Sequence, residues 1–264
     1  MRMVLTAVSL LAIGLGGWLL LAGGQKSPRD AVIAHLTAIT PSNAETRIAL
    51  NGCHLVIDLT NPDKEGMIDR VNLSADLHLF NTEQIRIGQP QDGAATYLAP
   101  RIEISDAYLD QGLRLIEAAP PQLSNSGETL TLFGNGKVQN TQRIDGAARQ
   151  IDRDKLREML GTPNAKLVFG LSSTVSQRRN DGSWEDPQPH EHAPVFHDFV
   201  ERVIALDPPA TYLATRRYLG AGFGDRLLTG SLRLPGHIEF RFPDEDAVKS
   251  FAHALNNYKL TNCS

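Results

Sequence analysis

Residues 70–79 of this chain have the sequence RVNLSADLHL, and this stretch decides the fold class. Apolar residues occupy every odd position from Val71 to Leu79, whereas polar or charged residues occupy the even positions. Because the side chains of a β-strand point alternately to its two faces, the pattern predicts a strand with one buried and one wet face. Such strands are typical of antiparallel sheets, in which the second face can meet solvent.

Turn signals flanked by alternating segments predict hairpins in three further places. Asn51-Gly52 separates two segments whose alternation runs in opposite phase, as a two-residue hairpin turn requires, although a bulge in one long strand is the alternative. Asn135-Gly136 and Pro235-Gly236 lie between the segments of the other two predicted hairpins. These signals favour a hairpin-rich sheet.

Helix periodicity appears between the predicted strands. Ser27 is a suitable cap for a helix ending near Ile39, and Asp244 is a suitable cap for the last helix of the chain. The other predicted helices occupy residues 108–118, 152–160 and 196–203. The sequence therefore predicts an α+β fold, an antiparallel hairpin-rich sheet with a few packed amphipathic helices. A β-sandwich with peripheral helices is the alternative.

The amino-terminal segment indicates where the protein works. Residues 4–24 contain no charged residue and are long enough to cross a bilayer, which takes roughly 20 apolar residues. The segment predicts a single-pass anchor that holds residues 25–264 at the extracytoplasmic face of a membrane. Its small closing residues, Ala22-Gly23-Gly24, also fit a cleaved signal peptide, which would leave a secreted or periplasmic protein.

The body of residues 25–264 is long enough for one large domain or two small ones. A break between subdomains is expected near residues 119–150, where proline and turn residues interrupt the pattern. The formal net charge of the whole chain is −4, which argues against a nucleic-acid partner because such proteins present a basic surface.

The two cysteines, Cys53 and Cys263, fit no CxxC or zinc spacing. Their positions towards the two ends of the body predict one disulfide in an oxidising compartment, and two unrelated buried thiols are the alternative.

Three histidines form a candidate metal site, namely His190, His192 and His197, with Glu191 and Asp198 beside them. Imidazole and carboxylate ligands suit zinc or another transition metal, but the spacing is not that of HExxH, and a solvated polar loop is the alternative. No other cofactor is indicated.

Two further features could bind a ligand. Paired arginines at 178–179 and at 216–217 suit an anionic ligand, or are simply solvated. The glycines at 220, 222 and 224 lack the spacing of a dinucleotide-binding loop and predict a turn or hinge.

The chain contains no GxSxG motif, and no catalytic residue can be assigned, so the sequence favours a protein that is not an enzyme. Three hypotheses follow. The first is a membrane-tethered or exported envelope protein with a non-catalytic binding or assembly role and an unknown protein partner. The second is a protein that binds an apolar or amphipathic ligand. The third is a metal-assisted hydrolase around the three histidines.

Overall fold

The computed structural model describes residues 27–62, 66–88, 96–120, 130–134, 137–142, 151–161, 166–172, 189, 192–220 and 222–263. The predicted membrane segment at residues 4–24 lies outside them. Within the described part of the chain, no helix combines the length and the apolar character needed to cross a membrane.

Eleven strands occur in the described residues, and all their pairings are antiparallel. They are β1 (Glu45–Asn51), β2 (His54–Pro62), β3 (Met67–Asp76), β4 (Phe80–Gly88), β5 (Thr96–Ile102), β6 (Leu130–Gly134), β7 (Lys137–Gln142), β8 (Leu167–Ser172), β9 (Tyr212–Leu219), β10 (Leu227–Leu234) and β11 (Phe240–Phe242). Eight of them form one sheet in the order β1-β2-β3-β9-β10-β8-β6-β7, and a second sheet has the order β11-β5-β4.

The five described α-helices are α1 (Pro28–Ala38), α2 (Asp106–Ala118), α3 (Arg153–Leu160), α4 (Ala193–Ile204) and α5 (Glu245–Asn262). At four of them the side chain of the N-cap residue accepts a hydrogen bond from a backbone N–H in the first turn of the helix; these N-cap residues are Ser27, Ser105, Asp152 and Asp244. Helix α1 packs against α5 and β1, and α5 packs against the three-stranded sheet. Helices α2 and α4 pack against β10 of the larger sheet.

These elements confirm the predicted α+β class. Buried apolar residues from both halves of the chain form one contiguous core cluster. The predicted break near residues 119–150 falls largely outside the described residues and stays a prediction, although β6 and β7 within it belong to the larger sheet.

The first predicted hairpin exists, with its turn one residue later than expected. Asn51 pairs with His54, so Gly52 and Cys53 form the turn. Gly52 has a φ of 55°, a conformation that glycine adopts at no steric cost, which explains why the chain can reverse there. The two strands of the second predicted hairpin, β6 and β7, pair with each other, whereas the turn residues Asn135 and Gly136 lie outside the described residues.

The third predicted hairpin, around Pro235-Gly236, is wrong. Strand β10 pairs with β8 and β9, whereas β11 pairs with β5 in the second sheet. Apolar and polar residues alternate on both sides of Pro235-Gly236 because each side forms a strand with one buried face, but the two strands belong to different sheets. The proline and glycine therefore connect the two sheets.

The prediction of one wet face for residues 70–79 is also wrong. Asn72 and Ser74 are only 7% and 3% exposed, because groups from later in the chain lie against them: Arg216 donates to Asn72, and Ser74 donates to the Ala210 carbonyl. Residues 77–79 leave the strand and form a short 3-10 helix. The face expected to meet water instead carries a buried polar network.

The predicted disulfide between Cys53 and Cys263 is confirmed, with an Sγ–Sγ distance of 2.06 Å. It joins the β1–β2 turn to the residue that caps the end of α5. The Tyr258 hydroxyl donates a hydrogen bond to the Gly52 carbonyl, which adds a second tie between the same two elements. The C-terminal end of α5 is thus fixed to the β1–β2 hairpin.

Candidate functional site

The buried polar network lies on the face of the larger sheet that α4 covers, called the α4 face below. A Cβ placed on Gly230 would meet the Phe196 ring of α4, so Gly230 points towards this helix. Arg216 is the cross-strand partner of Gly230, and Arg70 is the partner of Arg216. Directly paired residues share a face, so both arginines also point to the α4 face.

A chain of hydrogen bonds crosses this face from β2 to α4. The Asn72 amide donates to Asp58 Oδ1 at 2.8 Å, and its Oδ1 accepts from Arg216 Nη2 at 2.5 Å. Arg216 Nη1 then donates to Glu201 Oε1 at 2.6 Å. Three strands and one helix are therefore connected by charged and amide side chains.

Arg216 is the centre of the network, with only 2% of its surface exposed. A buried cation is costly unless it is paired and hydrogen-bonded, and Glu201 supplies the opposing charge. Arg216 Nε is nevertheless buried without a hydrogen-bond partner in the structure described. The Tyr218 hydroxyl also interacts with the Arg216 guanidinium, an interaction that lowers the pKa of Tyr218 against the larger, raising effect of burial.

The neighbouring Arg217 is largely exposed, whereas Arg216 is buried. Successive residues of a strand point to opposite faces, so Arg217 lies on the other face. There its Nε and Nη2 donate to the two carboxylate oxygens of Asp69 at 2.7 and 2.8 Å, and its side chain is 47% exposed. The predicted arginine pair is therefore two separate sites, and only Arg216 belongs to the buried network. The pair at 178–179 lies outside the described residues.

Aromatic residues complete the α4 face. The guanidinium carbon of Arg70 lies 4.5 Å from the centre of the Phe223 ring, a cation–π distance. The Phe223 ring also packs edge-on against Tyr218, and the Tyr218 hydroxyl lies 3.1 Å from His197 Nδ1. Phe223 lies between the predicted turn glycines, of which Gly220 and Gly224 adopt positive φ values of 72° and 77°. The glycines thus shape the turn that places Phe223 over Arg70.

His197 is the one predicted metal ligand that lies in this network. His190 and Glu191 lie outside the described residues, and His192 occupies the N-cap of α4. Among the described residues, His192 and His197 belong to no group of three close metal-binding side chains. The one such group there contains Cys53, Asp76 and His78, and its cysteine sulfur is bound in the disulfide and cannot act as a thiolate ligand. The metal site stays a prediction.

Burial lowers the pKa of His197 from its ordinary value of 6.5, and the positive charges of Arg216 and Arg70 lower it further, against the opposing effect of nearby carboxylates. Burial also raises the pKa of Tyr218, which keeps its hydroxyl protonated. The polar core of the site therefore holds a neutral imidazole beside two guanidinium groups.

The lowered pKa predicts that His197 contributes to the pH dependence of stability. Below pH 6.5 His197 is protonated more readily in the unfolded chain than in the folded chain. The stability that neutral His197 contributes is therefore present in full above pH 6.5 and is lost as the pH falls through the folded-state pKa. Urea unfolding at several pH values should show this loss, and the His197→Phe variant should lack that part of it. An equal loss in both proteins would contradict the assignment.

A second surface feature lies beside the disulfide. It is a groove of about 540 Å³ between the start of β4 and the end of α5, lined by His78, Leu79, Phe80, Asn81, Glu103, Ser105, Asn256, Lys259, Leu260 and Cys263. The side chain of Leu260 is 71% exposed on its wall, and Ile104, between two lining residues, is 47% exposed. Lys259 Nζ donates a hydrogen bond to the Phe80 carbonyl and so joins the end of α5 to the start of β4 across the groove.

Comparison with known protein families, with characterised proteins and with solved structures finds no match to this chain.

Proposed function

We propose that this chain is an exported, membrane-tethered envelope protein with a non-catalytic binding or assembly role. The observation that carries the proposal is the Cys53–Cys263 disulfide. Disulfides form and persist in oxidising compartments outside the cytoplasm and are rare in cytosolic proteins. The apolar segment at residues 4–24 supplies the route to such a compartment.

In this proposal residues 4–24 remain as a single-pass anchor, and the body lies at the extracytoplasmic face. Helix α1 starts at Pro28, so few residues separate the anchor from the folded body and keep it close to the bilayer. Cleavage of the leader, which would release a secreted or periplasmic protein, is the alternative.

The binding role is supported by the groove beside the disulfide. Exposed apolar side chains next to a concave surface are typical of protein-interaction sites. Leu260 lines this groove and Ile104 lies beside it, and both are exposed. The partner in this proposal is another protein. No specific observation favours the apolar-ligand or the metal-hydrolase hypothesis, and both stay predictions.

Fractionation of cells that express the full chain tests both the membrane tether and the binding role. We expect the chain to sediment with membranes, to need detergent for extraction, and to retain residues 1–24. Recovery of a soluble chain that begins near Gln25 would overturn the tether. A partner that copurifies with the wild type should be lost from Leu260→Asp and retained by Ser250→Asp, which adds the same charge at an exposed position of the same helix outside the groove.

A further inference from the structure

We propose that Cys53, Cys263, Asp76 and His78 bind zinc or a similar divalent cation once the disulfide is reduced. The two sulfur atoms then have two alternative states, joined to each other or joined to the metal. This site shares no residue with the histidine site predicted from the sequence, and it does not depend on the proposed binding role.

The donor atoms already lie close together. One ligand atom each from Cys53, Asp76 and His78 lies within 4.8 Å of the other two. The fourth, Cys263 Sγ, is bonded to Cys53 Sγ. Zinc holds its sulfur and nitrogen ligands at about 2.0–2.3 Å, so the ligands of a tetrahedral site are about 3.5 Å from one another. Small side-chain movements after reduction therefore bring the four groups around one ion.

The residue types are those that zinc prefers. Structural zinc sites are four-coordinate, and their ligands are cysteine thiolates, histidine nitrogens and carboxylate oxygens. Asp76 Oδ1 lies 2.9 Å from His78 Nδ1, and a carboxylate in this position commonly orients a metal-binding imidazole. A carboxylate has two oxygens and about four lone pairs, so Asp76 can hold the His78 ring and still bind the ion.

Backbone contacts keep three of the ligands together without the disulfide. His54 pairs with Asp76 across β2 and β3, which places the neighbouring Cys53 beside the end of β3. The Leu77 N–H donates a hydrogen bond to the Cys53 carbonyl at 2.8 Å. The turn that carries Cys53 is therefore tied directly to the segment that carries Asp76 and His78.

Two hydrogen bonds of α5 keep Cys263 near the other ligands. The Tyr258 hydroxyl donates to the Gly52 carbonyl, and Lys259 Nζ donates to the Phe80 carbonyl. Neither contact involves the sulfur atoms, so both can persist when the S–S bond opens. A bound ion would then restore the tie between the end of α5 and the β1–β2 turn.

The groove gives a reductant and a cation access to the site. Cys263 and His78 both line it, and the His78 side chain is 56% exposed. A protein dithiol that opens the disulfide supplies two electrons and two protons, which leaves two thiols in this chain and one disulfide in the reductant. Zinc then displaces the two thiol protons, because the thiolate is the form that binds metal.

Cobalt titration of the full-length chain in neutral detergent tests the site, after reduction and removal of the reductant under an inert atmosphere. Co²⁺ bound tetrahedrally by thiolates absorbs in the visible and near-ultraviolet, and displacement by Zn²⁺ abolishes this absorption. We expect one ion per reduced chain and no such absorption from the oxidised chain.

A pair of histidine variants identifies the ligand. His78→Ala should bind Co²⁺ at least tenfold more weakly, since the loss of even an outer partner of a metal ligand costs about 10–100-fold. His237→Ala is the matched control, because His237 is also about half exposed and lies 3.3 Å from a carboxylate, that of Glu239. It should bind Co²⁺ like the wild type.

Two results would overturn the metal site, namely no thiolate–cobalt absorption from the reduced wild type, or equal losses in the two histidine variants. His78 is exposed, so we expect His78→Ala to re-form the disulfide on oxidation, and thiol counting verifies that its fold is intact. Membrane fractionation measures export separately, so the metal site and the proposed function can fail independently of each other.

Discussion

Replacement of Glu201 by leucine will lower the free energy of unfolding by about 3 kcal/mol, because it leaves the buried Arg216 cation without its counter-charge. The side chain of Glu201 is 45% exposed, and this places the loss at the lower end of the range for broken buried ion pairs. Removal of the cation instead, in Arg216→Met, should lower the free energy of unfolding by less than Glu201→Leu does, because the remaining Glu201 carboxylate can be hydrated. The double variant Glu201→Leu/Arg216→Met should recover part of the loss, since no buried charge remains.

A matched pair on the opposite face of the same strand provides the control. Asp69 and Arg217 form an exposed ion pair, and Asp69→Ala should cost no more than about 1 kcal/mol, as is usual for surface pairs. Urea unfolding of the full-length chain in detergent measures all four variants. A loss for Glu201→Leu no larger than that for Asp69→Ala would show that Arg216 is not buried as described.

Removal of the disulfide will also have a large effect. Cys53 and Cys263 are 210 positions apart. In the chain-entropy model, closing so long a loop lowers the conformational entropy of the unfolded chain and so stabilises the folded state by up to about 5 kcal/mol. We expect Cys53→Ala/Cys263→Ala to lower the free energy of unfolding by about 2–5 kcal/mol. The loss should loosen the end of α5 first, because Cys263 holds it to the β1–β2 turn.

Addition of a reductant provides the internal control for this prediction. It should destabilise the wild type by the same amount as the double substitution and leave the double variant unchanged. Destabilisation of both proteins by the reductant would point to another cause, and an unchanged wild type would contradict the stabilising role of the disulfide.

Local patterns in the sequence were sufficient to predict the fold class. The capping residues Ser27 and Asp244 identified the starts of α1 and α5, and Asn51-Gly52 identified the first hairpin to within one residue. These features depend on neighbours within a few positions of the chain. The disulfide follows from a different kind of signal, namely two cysteines towards the two ends of the body with no CxxC or zinc spacing that would use them.

Long-range packing explains what the sequence could not predict. The polar residues Asn72 and Ser74 suggested a wet face, but groups more than 100 residues later form hydrogen bonds with them, Arg216 with Asn72 and the Ala210 carbonyl with Ser74. Pro235-Gly236 suggested a hairpin, but the partners of β10 and β11 lie elsewhere in the chain. An alternating pattern shows that a strand has two different faces and does not identify what lies against them.

The candidate site could be predicted only in fragments. His197, the arginine pair at 216–217 and the glycine turn were each noted for separate reasons, and the fold brings His197, Arg216 and Phe223 to one face. Arg70 and Glu201 were missed, since an arginine in an alternating strand and a glutamate on a helix are ordinary surface residues in a sequence. The charged residue on the otherwise buried face of β9 was the available signal.

Thiol trapping in intact cells tests the central claim, export to an oxidising compartment, most directly. A maleimide reagent would be applied to cells that express either the full chain or a chain lacking residues 1–24. We predict that Cys53 and Cys263 of the full chain resist labelling until a reductant is added, and that both cysteines of the shortened chain are labelled at once. Immediate labelling of both cysteines in the full chain would contradict the proposal.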